Sequence, residues 1–461
     1  MDAASLFTKN FSNVAFEDIP EAVVAITKKE ILDTLGVAVA GFAQPGAKEL
    51  LEMVSDWGGK AESSIIGSKL KVPAPHAAQV NATMAHTRDY DDVHETAVMH
   101  PGLVTIMPAL AMAELMGGLS GKELIAAVAL GVAMICRLGL ATRPGVSPIQ
   151  TGWHFTTLYG YPTAALTAGR ILKLDEEKML NAFGIAYHQC SGNGQCVTDG
   201  ALTKRMGPGF AVRGGMTAAL MAAKGITGAK NSLEGEQGLY QVYHQGQYDR
   251  DILTHDLGRH FEGINVSLKP YPCCRGIHAS IDAALAVATK HRIKAADIKD
   301  ILIATGEANH RLLCTPFEAK VRPRNPVDSQ FSIPWGIAAA LLKGSVTVAD
   351  YTPDAIANQE MLGLTAKIRA EADSTLNSAR GVEPARVTIA MNNGETFSAQ
   401  VDRATGSPAQ PMSFEGCIGK FKDCTSLAGD WMPKRNVEQA IELVATLEKV
   451  KDIRELIQLF Q

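Results

Sequence analysis

Apolar residues in the first half of the chain recur at the three- to four-residue spacing of buried helix faces, between glycine and proline breaks. Asp18 and Pro20 mark one helix start, and Ser120 with Glu123 forms a capping box at another. Small residues dominate these segments, so the helices can approach one another closely. The pattern predicts helices at 20–41, 103–116, 121–141, 161–173, 175–190 and 208–224.

The pattern changes after Ile264. Helical spacing at 276–290 and 328–342 alternates with a short strand pattern at 299–305. Alternating residues at 387–401 flank Asn393-Gly394, a pair that tolerates the positive φ angles of a tight primed turn and therefore predicts a hairpin. The chain is thus predicted to be mostly α with two domains, a large helical one and a smaller α+β one. An amphipathic segment at 436–460 could pack back on the helical domain.

Composition narrows the class of partner. The 461 residues carry 44 basic and 48 acidic side chains, a net charge of -4, so no polybasic surface for nucleic acid or for an anionic membrane is indicated. The N-terminus lacks a signal-peptide pattern, and the longest apolar run, 124–136, is shorter than a bilayer span. We therefore expect a cytoplasmic protein that acts on a small molecule.

Eight cysteines are scattered along the chain without a CxxC pair, which argues against zinc ribbons and iron-sulfur clusters. We expect reduced, mostly structural thiols.

The segment 85–102 concentrates ionisable residues between two apolar, alanine-rich helical patterns. Ionisable groups at the edge of a core are where pKa values shift and catalysis is placed. A helix-capping acid cluster and a metal site are the alternatives, although the spacing of Asp91, Asp92, His94 and His100 matches no standard ligand pattern. The acids and histidines of this segment are Asp89, Asp91, Asp92, His94, Glu95 and His100.

Three further segments carry candidate chemistry. His154 lies between aromatic residues at 151–157, where a packed core histidine is the alternative. Lys204 and Arg205 precede a glycine-proline turn that is predicted to open a helix, whose N-terminus favours anions. Lys269 and Arg275 lie on a proline-stiffened segment. Solvated loops are the alternative for both cation pairs, but together the four segments supply an acid, a base and anion receptors for proton abstraction beside a carboxylate.

With these segments in order, the sequence resembles the MmgE/PrpD family over nearly its whole length. The resemblance implies a helical domain, 1–264 completed by 402–461, and an α+β domain, 265–401, with the active site in the cleft between them. It also implies a homodimer that needs no cofactor or metal. The motifs that carry it are ILDTLGVAVAG (31–41), DYDD followed by HPG (89–102), TKRMGPG (203–209), GITG with LEGEQGLY (225–240), KPYPCCRGIH (269–278) and DSQFSIPW (328–335).

The resemblance also implies roles for individual residues. Lys204 and Lys269 would stabilise an enediolate, His154 or His100 would move the proton, and Asp89 would orient a histidine or act as the acid. Neighbours that orient side chains or contact substrate carboxylates would be Asp91, Asp92, Arg205, Arg275 and Trp335.

Departures from the family patterns leave the reaction open. Gly102 follows His100-Pro101 where methylcitrate dehydratases continue as HPSDN, and Trp335 and Val93 stand where decarboxylases have tyrosine and threonine. We expect a lyase that acts on a small di- or tricarboxylate, foremost a 2-methylcitrate-dehydratase-like hydro-lyase. An epimerase of the iminodisuccinate type, a cis-aconitate-type decarboxylase and a non-catalytic helical binding scaffold are the alternatives.

Overall fold

The computed structural model describes residues 1–142, 151–378 and 381–461, apart from the side chain of Thr198. The chain divides into two compact units. The first unit comprises Met1–Thr87, Asp91–Val266 and Phe414–Gln461, and the second comprises Arg88–Tyr90 and Ser267–Ser413. Compared with the boundaries expected from sequence, the second unit also takes Arg88–Tyr90 and the segment 402–413.

Helices make up most of the first unit, and the second unit combines shorter helices with a sheet, in agreement with the predicted mostly α fold with a smaller α+β domain. In chain order they are α1 Ala3–Asn13, α2 Glu21–Gly41, α3 Ala47–Trp57, α4 Ala74–His86, α5 Pro101–Leu115, α6 Gly121–Ala141, α7 Phe155–Ile171, α8 Glu176–Gln189, α9 Gln195–Thr198, α10 Thr203–Ala223, α11 Leu239–His244, α12 Arg250–Thr254, α13 His278–His291, α14 Glu307–Leu313, α15 Phe317–Val321, α16 Pro326–Gln330, α17 Ile333–Lys343, α18 Pro353–Ile356, α19 Gln359–Thr365, α20 Phe414–Thr425, α21 Lys434–Ala445 and α22 Arg454–Ile457.

Two predicted helix starts are corrected by the structure. α10 begins at Thr203 rather than at 208, so Pro208 lies inside the helix and the motif 203–209 forms its first turns instead of a preceding loop. α7 begins at Phe155 rather than at 161. Both shifts bring predicted site residues, Lys204 and His154, onto the N-terminal ends of helices.

Two further local predictions also need revision. Ser120 caps α6 by accepting from the backbone N–H of Glu123, but the Glu123 carboxylate pairs with Arg170 instead of completing a capping box. The predicted helix 328–342 is interrupted by Phe331 and Ser332, so it forms α16 and α17. The Ser332 side chain caps α17 there.

Close packing of small residues positions α10 in the first unit. A Cβ at Gly209 would lie 2.4 Å from Thr83 Oγ1 of α4, and one at Gly215 would lie 2.5 Å from the Tyr161 carbonyl oxygen of α7. Any larger side chain would push these helices apart. The alanine- and glycine-rich composition thus allows α4, α7 and α10 to pack with their backbones nearly in contact.

The C-terminal segment packs back into the first unit, at α6. The backbone N–H of Gly121 donates to the Val450 carbonyl, and that of Ile453 donates to the Leu119 carbonyl. Leu447, Leu456 and other apolar side chains of this segment are buried. The amphipathic pattern at 436–460 therefore reflects a real buried face, although the segment forms α21, α22 and short 3-10 turns.

α6 is the one helix in the described part of the chain that is long and apolar enough to cross a membrane, by length and composition. In this protein 94% of its most apolar window is buried inside the first unit. This agrees with the buried core helix predicted around 124–136.

The second unit contains a four-stranded mixed sheet in the order β4-β3-β5-β6, with β3 parallel to β4 and antiparallel to β5. The strand predicted at 299–305 and the hairpin at 387–401 are confirmed. The parallel edge strand β4 was not predicted, because its sequence, IRAEA, is short, carries a single large apolar residue and is buried only at Ile368. The strands are β1 Ser63–Ser64 and β2 Lys71–Val72, a short ladder in the first unit, then β3 Ile298–Thr305, β4 Ile368–Ala372, β5 Ala385–Met391 and β6 Thr396–Val401.

The β5–β6 turn differs from the predicted two-residue primed turn. Gly394 has φ +91°, whereas Asn393 is not among the residues with positive φ. The Gly394 N–H donates to the Met391 carbonyl, and the Met391 N–H donates to the Glu395 carbonyl. This is the three-residue hairpin loop in which a left-handed glycine follows a type I turn.

The packing of the C-terminal segment can be tested at Gly121. An alanine Cβ there would lie 1.7 Å from the Leu447 carbonyl oxygen, so Gly121→Ala should lower the free energy of unfolding by about 1–3 kcal/mol. The control is Gly419→Ala, at an exposed position in α20 with no atom within 4 Å, where the better helix propensity should add up to about 1 kcal/mol. Denaturant titrations of both variants measure the difference, and equal effects would contradict the packing.

Candidate functional site

A buried carboxylate, that of Asp91, lies between two imidazoles in the first unit. Its Oδ2 lies 2.8 Å from His86 Nδ1 and 3.2 Å from His100 Nδ1. The side chains of Asp91 and His86 are inaccessible to solvent, and that of His100 is 15% exposed. Asp91 therefore lies between the fully buried His86 and the partly exposed His100.

The partners of these imidazoles determine their tautomers. His100 Nδ1 also lies 2.6 Å from the backbone carbonyl oxygen of Asp92, so both of its neighbours are acceptors and Nδ1 must carry a hydrogen. By the same reasoning His86 donates its Nδ1–H to Asp91. The lone pair of neutral His100 is then on Nε2, the arrangement that a general base requires.

His154 completes a group of three histidines. The centroid of its ring lies 6.0 Å from that of His86, whose ring lies 4.9 Å from that of His100. His154 Nδ1 is 2.7 Å from Thr157 Oγ1, and the His154 backbone N–H donates to the Gly192 carbonyl. The glycine-rich segment around 191–196, which fails as a nucleotide-binding motif, therefore supports the backbone of His154.

The ends of four helices supply the cluster. His86 is the last residue of α4, while His100 and His154 are the N-caps of α5 and α7. Lys204 lies in the first turn of α10, close enough for its charge to affect His86 and His154. Helix N-termini carry partial positive charge, so a lysine there adds to a field that favours an anion.

Burial and this positive field keep His86 and His154 neutral. Burial, with smaller effects from Lys204 and His100, lowers the pKa of His86 to about 4 against the opposing effect of Asp91. Burial, His86 and Lys204 also hold the pKa of His154 well below its ordinary value. Burial alone would raise the pKa of Asp91, but interactions with His100 and His86 outweigh it and hold that pKa well below the usual range. At neutral pH the carboxylate of Asp91 is thus ionised, and the imidazoles of His86 and His154 are uncharged.

Asp92 has a different environment from Asp91. Its carboxylate accepts from the Gly102 backbone N–H at 2.9 Å, and a Cβ on Gly102 would lie 2.9 Å from the same oxygen. Burial, Asp91 and Asp33 raise the pKa of Asp92 well above its ordinary value. Burial beside Asp92 and Asp33 also raises the pKa of Glu30, and Asp33 pairs with Lys420. Asp92 therefore belongs to a buried acidic group behind the start of α5, and its predicted substrate contact stays a prediction.

The other predicted residue of this unit, Arg205, is buried and donates to the Pro45 carbonyl at 3.1 Å. This bond ties α10 to the connection between α2 and α3. The predicted contact of Arg205 with substrate likewise stays a prediction.

In the second unit, Asp89 and Lys269 are paired and buried. Lys269 Nζ donates to the Asp89 carbonyl at 2.7 Å and lies 3.5 Å from Asp89 Oδ2. Asp89 has φ +50°, a left-handed conformation uncommon for residues other than glycine and asparagine. Gln330, from the DSQF motif, donates to the Arg88 carbonyl at 2.6 Å and fixes the same segment. Catalytic roles for Asp89 and Lys269 stay predictions.

Trp335 and Arg275 have structural contacts in the second unit. Trp335 is fully buried in the apolar core and its indole N–H donates to the Asp350 carbonyl, so the predicted substrate contact is wrong for this residue. Arg275 donates to the carbonyls of Thr405 and Ala404, which holds the segment after β6. Its predicted role as a substrate ligand stays a prediction.

His86 is the residue of this site that sequence reasoning missed. A single histidine at the end of an alanine-rich helix carries little signal, although it lies only five residues before Asp91. The candidate metal ligands also change: His86, Asp91 and His100 have ligand atoms within 4.8 Å of one another, and His94 is not in this group. A metal at the Nδ1 atoms would have to displace the hydrogens received by Asp91 and Asp92, so these donors fit a proton network better.

The influence of Lys204 on the histidines can be measured. Lys204→Met removes a positive charge that lowers the pKa of His86 and of His154, so both values should rise, while burial still keeps them below about 6.5. Histidine NMR titration would follow this rise. Lys224→Met, at the other end of α10, is the matched control and should change neither. Unchanged titrations in Lys204→Met would contradict this account.

Comparison with known proteins agrees with the whole-chain resemblance. Residues 7–251 match the MmgE/PrpD N-terminal domain, and residues 271–449 match the MmgE/PrpD C-terminal domain. The chain is 25% identical to a cis-aconitate decarboxylase of Aspergillus terreus, over 97% of this chain and 94% of the relative. It is 26% identical to that of Homo sapiens (94% and 89%) and 24% identical to that of Mus musculus (96% and 90%). Because the two domain matches cover most of the sequence, the chain belongs to the MmgE/PrpD family.

Proposed function

We propose that this protein is a lyase that moves a proton at a carbon beside a carboxylate of a small di- or tricarboxylic acid. The observation that carries the proposal is ionised Asp91 between the imidazoles of His86 and His100, with His154 beside His86 and Lys204 nearby. The proposal needs no cofactor for the proton step. It applies to this site in the first unit.

His100 is the proposed general base. Its Nδ1–H is held by Asp91 Oδ2 and by the Asp92 carbonyl, so Nε2 is left to accept the substrate proton. The imidazolium formed in this step is stabilised by the carboxylate it already contacts. This follows the logic by which a buried aspartate orients and stabilises a catalytic histidine. His154, whose Nδ1 lies 2.7 Å from Thr157 Oγ1 and whose pKa is held well below its ordinary value, is the alternative proposed group for accepting the proton.

The proposed substrate is anionic because Lys204 and three helix N-termini place positive charge at the site. Lys204 and the N-terminal ends of α5, α7 and α10 favour negative charge, and the enediolate formed by proton loss is more negative than the ground-state acid. Interactions that strengthen as this charge develops accelerate the reaction.

The proton step fits more than one lyase reaction. In a hydro-lyase, His100 takes the proton beside the carboxylate and returns it to a neighbouring hydroxyl as the C–O bond breaks, so that water is lost and a double bond forms. In a decarboxylase, loss of CO2 leaves the carbanion, which takes a proton from an imidazolium. The hydro-lyase is the reaction expected from the sequence, and the decarboxylase is a second candidate because the relatives described above are named cis-aconitate decarboxylases.

An NMR assay in D2O separates these reactions. The enzyme is incubated with citrate-like, tartrate-like and aspartate-derived acids and with cis-aconitate. A new vinyl signal from a hydroxy acid supports the hydro-lyase, while released CO2 supports the decarboxylase. Deuterium incorporation without loss of substrate would favour an epimerase. Failure to exchange or convert any acid would argue for a binding scaffold instead.

Substitutions test the assignment of residues. His100→Gln and Lys204→Ala should each lower kcat on the active acid by about 10²–10⁴-fold, because they remove the base and the anion-stabilising charge. Lys224→Ala, on the same helix as Lys204 but at its far end, should leave kcat unchanged. Normal turnover by His100→Gln would refute the proposed base.

Lys269→Ala extends the test to the lysine of the second unit that was predicted to be catalytic. A loss of kcat comparable to that of Lys204→Ala is expected under the proposal. The homodimer and the cytoplasmic location remain parts of the proposal. Analytical sedimentation measures the oligomeric state.

A further inference from the structure

His86 occupies a position from which it can act only through another residue. Its Nδ1 lies 2.8 Å from Asp91 Oδ2, and its side chain is inaccessible to solvent. His100, on the same carboxylate oxygen, is the partly exposed member of the pair. His86 therefore lies on the protein side of Asp91, and His100 lies on the open side.

The Asp91 carboxylate depends on these two histidines. Its Oδ1 is buried and has no hydrogen-bond partner within the described residues, whereas Oδ2 accepts from His86 Nδ1 at 2.8 Å and lies 3.2 Å from His100 Nδ1. An unsatisfied buried carboxylate oxygen is costly. Without His86, Asp91 would keep a single direct donor and could rotate about its side-chain bonds or take up a proton. Either change would remove the acceptor that faces His100.

We propose that His86 is a positioning residue that donates its Nδ1–H to Asp91, holds the carboxylate toward His100 and thereby keeps His100 Nε2 available for the substrate proton. This rests on the proposed function, in which His100 moves that proton. His86 does not contact the substrate. His86 instead fixes the orientation and the charge of the Asp91 carboxylate, which lies between His86 and His100.

The two ring nitrogens of His86 can be separated by substitution. Asparagine places an amide N–H near the position of Nδ1, whereas glutamine places it near the position of Nε2. His86→Asn should therefore keep the bond to Asp91 and retain kcat within about tenfold, while His86→Gln and His86→Leu should lower kcat by about 10²-fold or more. KM should change little in all three variants, because the substrate is not touched.

The opposite pattern would overturn the proposal. If His86→Gln retained kcat and His86→Asn did not, Nε2 would be the functional atom. If His86→Leu retained kcat while folded, His86 would have no positioning role. Thermal unfolding of each variant establishes that the compared proteins are folded, and the Asn/Gln contrast involves two amides of similar polarity.

A measurement without substrate keeps this test independent of the proposed function. In protein labelled with 15N-histidine, the Nδ1–H of His100 should give a strongly downfield proton resonance, because Nδ1 lies 2.6 Å from the Asp92 carbonyl oxygen and 3.2 Å from the Asp91 carboxylate. His86→Leu should shift or broaden this resonance, and His86→Asn should preserve it. The matched control is His244→Asn, a buried histidine of the same unit that bonds to Tyr159 OH, which should leave it unchanged.

The kcat values and the His100 proton resonance distinguish failure of the proposed base from failure of the positioning role. If His100→Gln is fully active but His86→Leu still perturbs the His100 resonance, the proposed base is wrong and the positioning contact stands. If the resonance is the same in His86→Leu as in the unsubstituted protein, the positioning role is wrong whatever the activity of His100→Gln.

Discussion

The candidate site depends on one buried negative charge, that of Asp91. A carboxylate without solvent is tolerated only when donors satisfy it, and here the imidazoles of His86 and His100 do so. Because both rings must present Nδ1–H to the same oxygen, their tautomers follow from this contact. The charge of Asp91 therefore determines which nitrogen of His100 is free to react.

The packing of the helices makes this arrangement possible. Four helix ends can meet only if their axes approach closely, and Gly209 and Gly215 of α10 allow that approach to α4 and α7. Long side chains at these positions would move Lys204 away from the histidines. The small residues of the first unit thus contribute to the candidate site by letting the helices approach closely, and not through any chemistry of their own.

Sequence alone was sufficient for the family, the fold class and most of the polar members of the site in the first unit. Helical periodicity and motif order are local signals, and they indicated His100, His154 and Lys204. His86 was missed because its partner is recognised only when the turn after α4 is folded. Trp335 was assigned wrongly since a motif position does not reveal whether a side chain faces a core. The edge strand β4 escaped notice for a related reason: its pairing with β3, not its own residues, makes it a strand.

The adjacent residues Asp91 and Asp92 show how neighbouring groups can shift the pKa values of two equally buried carboxyls in opposite directions. Both are removed from water, yet interactions with two histidines hold the pKa of Asp91 low, whereas Asp91 and Asp33 add to the effect of burial and raise that of Asp92. The backbone carbonyl of Asp92 still contributes to the site, because it accepts from His100. Asp91 is therefore the acid of this pair that favours the negatively charged form beside the histidines. When His100 gains a proton, the charge of Asp91 becomes part of an ion pair, so the proton can be taken up without leaving an uncompensated positive charge in the interior.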